Sequence, residues 1–193
     1  MKKNLINPAL SQFFIILAIW LIPSTTGQTD DKKEELTSGR ICLAIKNYVL
    51  LYDLFSGDTA KIKACLDTKE EGANRVVFIT LEKQELFLVE LADTFQVLLQ
   101  TKISSGLKPG WTPTGCFTIS KKRLARKSKK YGGVMTYWNC LTPNEAIAIH
   151  GLRDKSYEKN LGRPVSHGCI RIGKDIEEKF YELTPVGTTV LIE

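Results

Sequence analysis

From Arg75 onward the strand-forming residues recur at a period of two. Val76, Phe78 and Thr80 alternate with Val77, Ile79 and Leu81, residues 82–84 offer a turn, and residues 86–91 resume the run. Successive side chains of a strand point to opposite faces, so two such runs around a short polar turn read as a hairpin. Phe95, Val97, Leu99 and Thr101 continue the period. Thr112-Pro113-Thr114-Gly115 places Pro and Gly where a type I turn wants its second and fourth residues. Residues 116–120, 146–150 and 188–192 read as further strands. Residues 175–183 make the clearest helix, because Ile176, Phe180 and Leu183 share one face and Pro185 and Gly187 end it. No internal repeat is present. The expected fold is mainly β, a sandwich or bent pair of sheets with one short helix.

With 193 residues the chain has room for one domain and an export segment. Lys2 and Lys3 precede the short apolar run 13–22, Pro23 breaks it, and the small polar stretch 24–27 follows. That is the layout of a secretory signal over residues 1–27. The run falls well short of the ~20 residues a membrane-spanning helix needs, so no stable span is expected after cleavage. No Cys follows it, which argues against a lipoprotein anchor. Residues 28–38 read as a polar linker. Residues 40–54 carry both helical and strand spacing, and Glu70-Glu71-Gly72 marks a boundary before a main domain at 74–193. Residues 28–73 are therefore a linker and an N-terminal segment without an assigned role.

Export to the periplasm or cell envelope would take Cys42, Cys65, Cys116, Cys140 and Cys169 into an oxidising compartment. Five is odd, so at least one thiol lacks an intrachain partner. The pairing among the first four stays open.

Chemistry concentrates in residues 148–172, AIHGLRDKSYEKNLGRPVSHGCIRI, which hold both histidines of the chain and one cysteine. A thiol with a pKa near 8.5 is mostly protonated at neutral pH. A neighbouring imidazole can take its proton, stabilise the thiolate as imidazolium, and later return a proton to a leaving amine. On a strand at 146–150, His150 shares a face with Ala146 and Ala148, and the Gly151 carbonyl is placed to orient its ring. Ser166-His167-Gly168-Cys169 reads as a tight turn entering the strand 170–172. There the amides of Gly168 and Cys169 can face a developing oxyanion. Cys169 and Arg171 share one face while Ile170 and Ile172 pack inward. Arg171 can then hold a carboxylate or favour the thiolate. Taken singly, Cys169 also reads as a structural thiol, His150 as a hydrogen-bonded strand end, and Ser166 as a turn residue bonding backbone. His167 divides between support and substrate contact.

Taken together, His150-Gly151, then Ser166 fifteen positions after Gly151, then Ser-His-Gly-Cys-Ile-Arg, resemble the L,D-transpeptidase (YkuD-like) signature. The likeness extends more weakly over 74–193, including Thr112–Gly115 and the entry to the last strand, and does not cover 28–72. It implies a β-sandwich-like catalytic domain with Cys169 as nucleophile, His150 as base and acid, and Gly168/Cys169 amides as oxyanion hole. Substrate contact or support would fall to His167, Arg171, Ser166 and Gly151. The resemblance also implies peptidoglycan stem tetrapeptides as substrates. The bond between the third residue and terminal D-alanine would be cleaved, and the stem held as a thioester and passed to an amine to form or exchange third-to-third cross-links. No cofactor or metal is implied. An L,D-carboxypeptidase would give the same thioester to water. A zinc hydrolase using His150, His167 and Cys169 is the alternative from another class.

The run 121–130, KKRLARKSKK, is the strongest charge feature in a chain of net charge +6. Its default reading is a solvated loop, with attraction to an anionic envelope polymer second. Nucleic acid fits poorly, because no aromatics interleave the charges. Nothing in the sequence demands more than a monomer.

Overall fold

The structure, a computed structural model, describes Cys65 and residues 74–91, 95–128 and 132–193. The signal reading of 1–27, the linker reading of 28–38 and the two-way reading of 40–54 lie outside the described residues.

Arg75–Thr80 (β1) and Glu85–Leu91 (β2) form the expected antiparallel hairpin, with Val77 opposite Leu88 and Ile79 opposite Leu86. Phe95–Lys102 (β3) adds antiparallel to β2. Gly115–Thr118 (β4) pairs with Thr189–Ile192 (β9), which runs parallel to β1 and gives a sheet of order β3-β2-β1-β9-β4. A second sheet of order β5-β6-β7-β8 is built from Lys121–Lys127, Val134–Cys140, Ala148–Gly151 and Ile170–Ile172. The expected helix is Glu177–Leu183 (α1), and Phe180 is wholly buried on the face it shares with Ile176 and Leu183.

The main core brings together side chains from both sheets. Val77, Ile79, Leu86, Leu88, Val190 and Ile192 come from the first, and Ile149, Ile170 and Ile172 from the second. In each pair of neighbouring residues one faces this core and the other does not, so the opposite face of the second sheet is left to Trp138, Cys140 and Ala148. That face carries the site.

Two sequence expectations change. The basic run is a paired strand over Lys121–Lys127, not a loop. Its backbone bonds to β6, while its edge position leaves most of its charged side chains in water, so no apolar alternation marks it; such charges also discourage edge-to-edge association. Lys122 is turned inward, where its Nζ donates to the Tyr181 and Thr184 carbonyls at the C-terminal end of α1. Burial lowers its pKa. The hydrogen-bonded turn near residue 112 lies earlier than expected. Trp111 N–H donates to Lys108 O at 3.1 Å, with Pro109 and Gly110 (φ 78°) between, the positions a type II turn assigns to them.

The outer face of the first sheet is also dry. Val76, Phe78, Phe87, Val89 and Leu191 are buried there with Cys65, and Cys65 forms a disulfide with Cys116 of β4. A residue nine positions before residue 74 is thus covalently tied to the first sheet. The bridge closes a loop of 51 residues, for which unfolded-chain entropy gives about 4 kcal/mol. Replacing Cys65 and Cys116 by Ala is expected to lower unfolding free energy by about 2–4 kcal/mol in urea titrations. An unchanged midpoint would show that the bridge adds nothing.

Candidate active site

Strands β7 and β8 run parallel, with Ile149 beside Ile170 and His150 beside Arg171. A parallel pair needs a long crossover, here residues 152–169, whose last four residues are the Ser-His-Gly-Cys turn. The register puts Cys169, just ahead of β8, alongside Ala148. Ile149, Ile170 and Ile172 take the core side, so Ala148, His150, Cys169 and Arg171 share the opposite face. The small Ala148 leaves space between its larger neighbours.

Hydrogen bonds fix the turn closely. Gly168 N–H donates to Ser166 Oγ at 3.0 Å, and the Ser166 hydroxyl donates to Cys169 O at 2.6 Å. Thr112, which sequence reading assigned only to a turn, is buried and donates to Gly168 O at 2.7 Å while accepting from Gly106 N–H at 2.8 Å. Gly168 has φ 128°, and a Cβ there would lie 2.7 Å from Trp111 O and 3.0 Å from Ile147 Cδ1. Only glycine suits that position. The free edge of β8 is closed by residue 104, with Ser104 N–H to Arg171 O at 2.9 Å and Arg171 N–H to Ser104 O at 3.0 Å.

His150 is buried, with Nδ1 2.7 Å from Gly151 O. A carbonyl can only accept, so Nδ1 carries the hydrogen and Nε2 keeps its lone pair. On the other side of the strand a Cβ at Gly151 would collide with the Glu177 carboxylate. Burial, with Arg171 nearby, lowers the His150 pKa to about 4, against the raising effect of the Gly151 bond. The Cys169 Sγ–H lies 3.5 Å from Ala146 O. Burial pushes its thiol up, opposed by a backbone bond from Ala148 and by the charges of Arg171 and Arg126. Desolvation thus disfavours charge on both groups, opposed at the thiol by Arg171 and Arg126. Cys140 and Cys169 are free thiols, and Cys140 is wholly buried beside Ala148.

Sequence reasoning missed the cationic flank. Between Arg123↔Trp138 and Ala125↔Thr136 the β5–β6 pairing skips Leu124 and Tyr137, and Tyr137 has φ 49°. The irregularity inverts the strand phase, so Arg126 and Met135 reach the Trp138 side. The Arg126 guanidinium carbon lies 4.3 Å from the Trp138 ring centre, and that of Arg123 5.4 Å. Both arginines approach Glu145, at 2.9 and 3.6 Å, and Lys121 does so at 3.0 Å. Half-buried Arg171 makes no side-chain hydrogen bond among the described residues.

A groove of about 540 Å³ is walled by Trp111, Pro113, Pro143, Asn144, Ala146 and Ile147, and of these Ala146 reaches the site, its carbonyl 3.5 Å from the Cys169 sulfur. His167 is exposed and stacks on Trp111, ring centres 5.7 Å apart at 20°. Among the described residues no three His, Cys, Asp or Glu side chains converge as metal ligands, so His150, His167 and Cys169 do not make a zinc set.

A family model described as the L,D-transpeptidase catalytic domain (YkuD) matches residues 74–192. The chain belongs to this family. Solved L,D-transpeptidases share its fold. One from Mycobacterium smegmatis has a TM-score of 0.55 at 21% identity, over 63% of this chain and 59% of that one. One from Stackebrandtia nassauensis has 0.53 at 25%, over 66% and 59%. One from Xylanimonas cellulosilytica has 0.50 at 26%, over 68% of each. The chain thus spans about 59% of the length of the first two L,D-transpeptidases. No curated protein matches it.

Proposed function

We propose that the chain is an exported cysteine L,D-transpeptidase that cuts the bond between the third residue and terminal D-alanine of peptidoglycan stem tetrapeptides. The observation that carries this reading is the placement of His150 and Cys169 on one face of adjacent parallel strands, with the imidazole tautomer set by the Gly151 carbonyl.

In the first half-reaction His150 Nε2 takes the Cys169 proton as sulfur attacks the scissile carbonyl. The C–S bond forms, the C–N bond breaks, and the imidazolium gives its proton to the departing D-alanine amine. Because Gly168 N–H is already committed to Ser166, the oxyanion falls to Cys169 N–H, which has no backbone acceptor among the described residues. Arg171, with its donors unspent beside the sulfur, holds a substrate carboxylate. In the second half-reaction an acceptor amine attacks the thioester, the C–N bond forms as C–S breaks, and the amine's proton passes through His150. Ser166, Thr112 and Gly151 position these groups.

Export is supported by the signal-like layout of residues 1–27 and by the Cys65–Cys116 bridge. No described helix is long and apolar enough to cross a membrane. Incubation of the mature protein with tetrapeptide-bearing muropeptides is expected to yield cross-linked dimers and free D-alanine. Trimmed monomers alone would make the enzyme an L,D-carboxypeptidase, and untouched muropeptides would end the proposal.

A further inference from the structure

The carbonyl that orients the imidazole belongs to a glycine. Gly151 O fixes the His150 tautomer from 2.7 Å, yet a glycine peptide turns more freely than any other. Among the described residues the sheet flanks it on one side only. β8 runs beside Gly151 at Ile172, whereas the registered pairing of β6 with β7 ends at Asn139 and Ile149. Past that pair β6 departs through Tyr137, with its φ of 49°.

Side chains fill the place the strand leaves. A Cβ on Gly151 would fall 1.3 Å from Glu177 Oε2 and 2.7 Å from Thr136 Oγ1, so the carboxylate occupies the volume of the missing side chain. Glu177 lies at the start of α1 and is buried, with 4% of its surface exposed. A closed ring of contacts holds it. Thr136 Oγ1 donates to Glu177 Oε2 at 2.6 Å, Lys174 pairs with Oε1, and Lys174 Nζ donates to Thr136 Oγ1 at 3.1 Å. A buried carboxylate is costly unless paired, and no step of the reaction above uses this one.

We infer that Glu177, clamped by Thr136 and Lys174, is a positioning residue: it braces the Gly151 peptide and so keeps the His150 hydrogen on Nδ1. The inference deepens the transpeptidase reading above and rests on it. With the brace gone the glycine carbonyl can swing, Nδ1–H loses its acceptor, and the ring can carry its hydrogen on Nε2 instead. That tautomer has no lone pair facing the thiol, so it is silent in thioester formation. Lys174 balances the charge of Glu177, which therefore acts through packing and hydrogen bonds.

His150 and His167 are the two histidines of the chain, so nitrogen NMR of the labelled full chain reads the His150 tautomer without substrate. Thioester formation is followed separately by intact mass. The parent is expected to show Nδ1–H at His150. Glu177→Ala is expected to give a mixture with Nε2–H and to slow thioester formation about 10-fold, with the KM for stem tetrapeptide within about 2-fold. Glu177→Gln still offers an oxygen to the Thr136 hydroxyl, so it is expected to keep the parent tautomer and a rate within about 3-fold. Thr136→Val keeps the branched shape but removes that hydroxyl, and is expected to shift the tautomer in the same direction even where Glu177→Ala does not fold. A parent tautomer retained in these two variants overturns the inference, as does a rate loss that Glu177→Gln shares in full. A parent that forms no thioester ends the transpeptidase reading alone, and the brace is still decided by the spectra.

Discussion

Cys169→Ala is expected to lower turnover of stem tetrapeptides by roughly four orders of magnitude or more, with no covalent adduct detectable by intact mass. The proposed mechanism has no second route, because the neighbouring thiol of Cys140 is wholly buried with its S–H toward Thr142 O at 3.2 Å. Stability should hardly move. The sulfur makes one long contact to Ala146 O and packs at the margin of the Trp138 cluster, so its loss is comparable to that of one methylene, about 0.8 kcal/mol. Urea midpoints of parent and variant therefore coincide within about 1 kcal/mol. Cys140→Ala is the control and retains adduct formation. An active Cys169→Ala protein, or an adduct that follows Cys140, would move the nucleophile elsewhere.

The parts of this site that were legible in sequence are those whose cause is local. Strands β1 and β2 declare themselves by period, and the Ser-His-Gly-Cys turn by a glycine that only a left-handed φ requires. The shared face of Cys169 and Arg171, with Ile170 and Ile172 inward, follows from alternation alone. The rest depends on distant partners. Thr112 reads as a turn residue until its hydroxyl is found bonding a carbonyl 56 positions away. Arg126 belongs by simple alternation to the other face of β5, and only the skipped pair Leu124 and Tyr137 brings it over Trp138. The desolvation of the pair is hidden from the sequence for a similar reason. Cations near the thiol can be read from the chain, but the burial that outweighs them is a property of the assembled sheets.

That burial has a consequence for stability as well as for chemistry. His150 has a folded pKa of about 4, against about 6.5 in an unfolded chain. Between these values the unfolded chain binds a proton that the folded protein refuses, so stability falls as pH drops through this window. The full difference corresponds to about 3 kcal/mol, present above pH 6.5 and gone below pH 4. Glu145 and Asp154, whose carboxyl pKa values are lowered chiefly by hydrogen bonds from Lys121 and Ser156, lose their contributions at still lower pH. Their effect is common to parent and variant and cancels in a comparison. Urea unfolding at pH 7 and pH 4 is thus expected to cost the parent about 3 kcal/mol more than His150→Gln, which cannot titrate. Equal losses would place the imidazole in contact with water. The same low pKa predicts that thioester formation has no rising limb near pH 6.5 and climbs instead toward alkaline pH, where the raised thiol begins to ionise. A bell centred near neutrality would mean that a thiolate–imidazolium pair exists before substrate binds, and that the desolvation of this face is weaker than its wholly buried neighbours Trp138, Cys140 and Ala148 require.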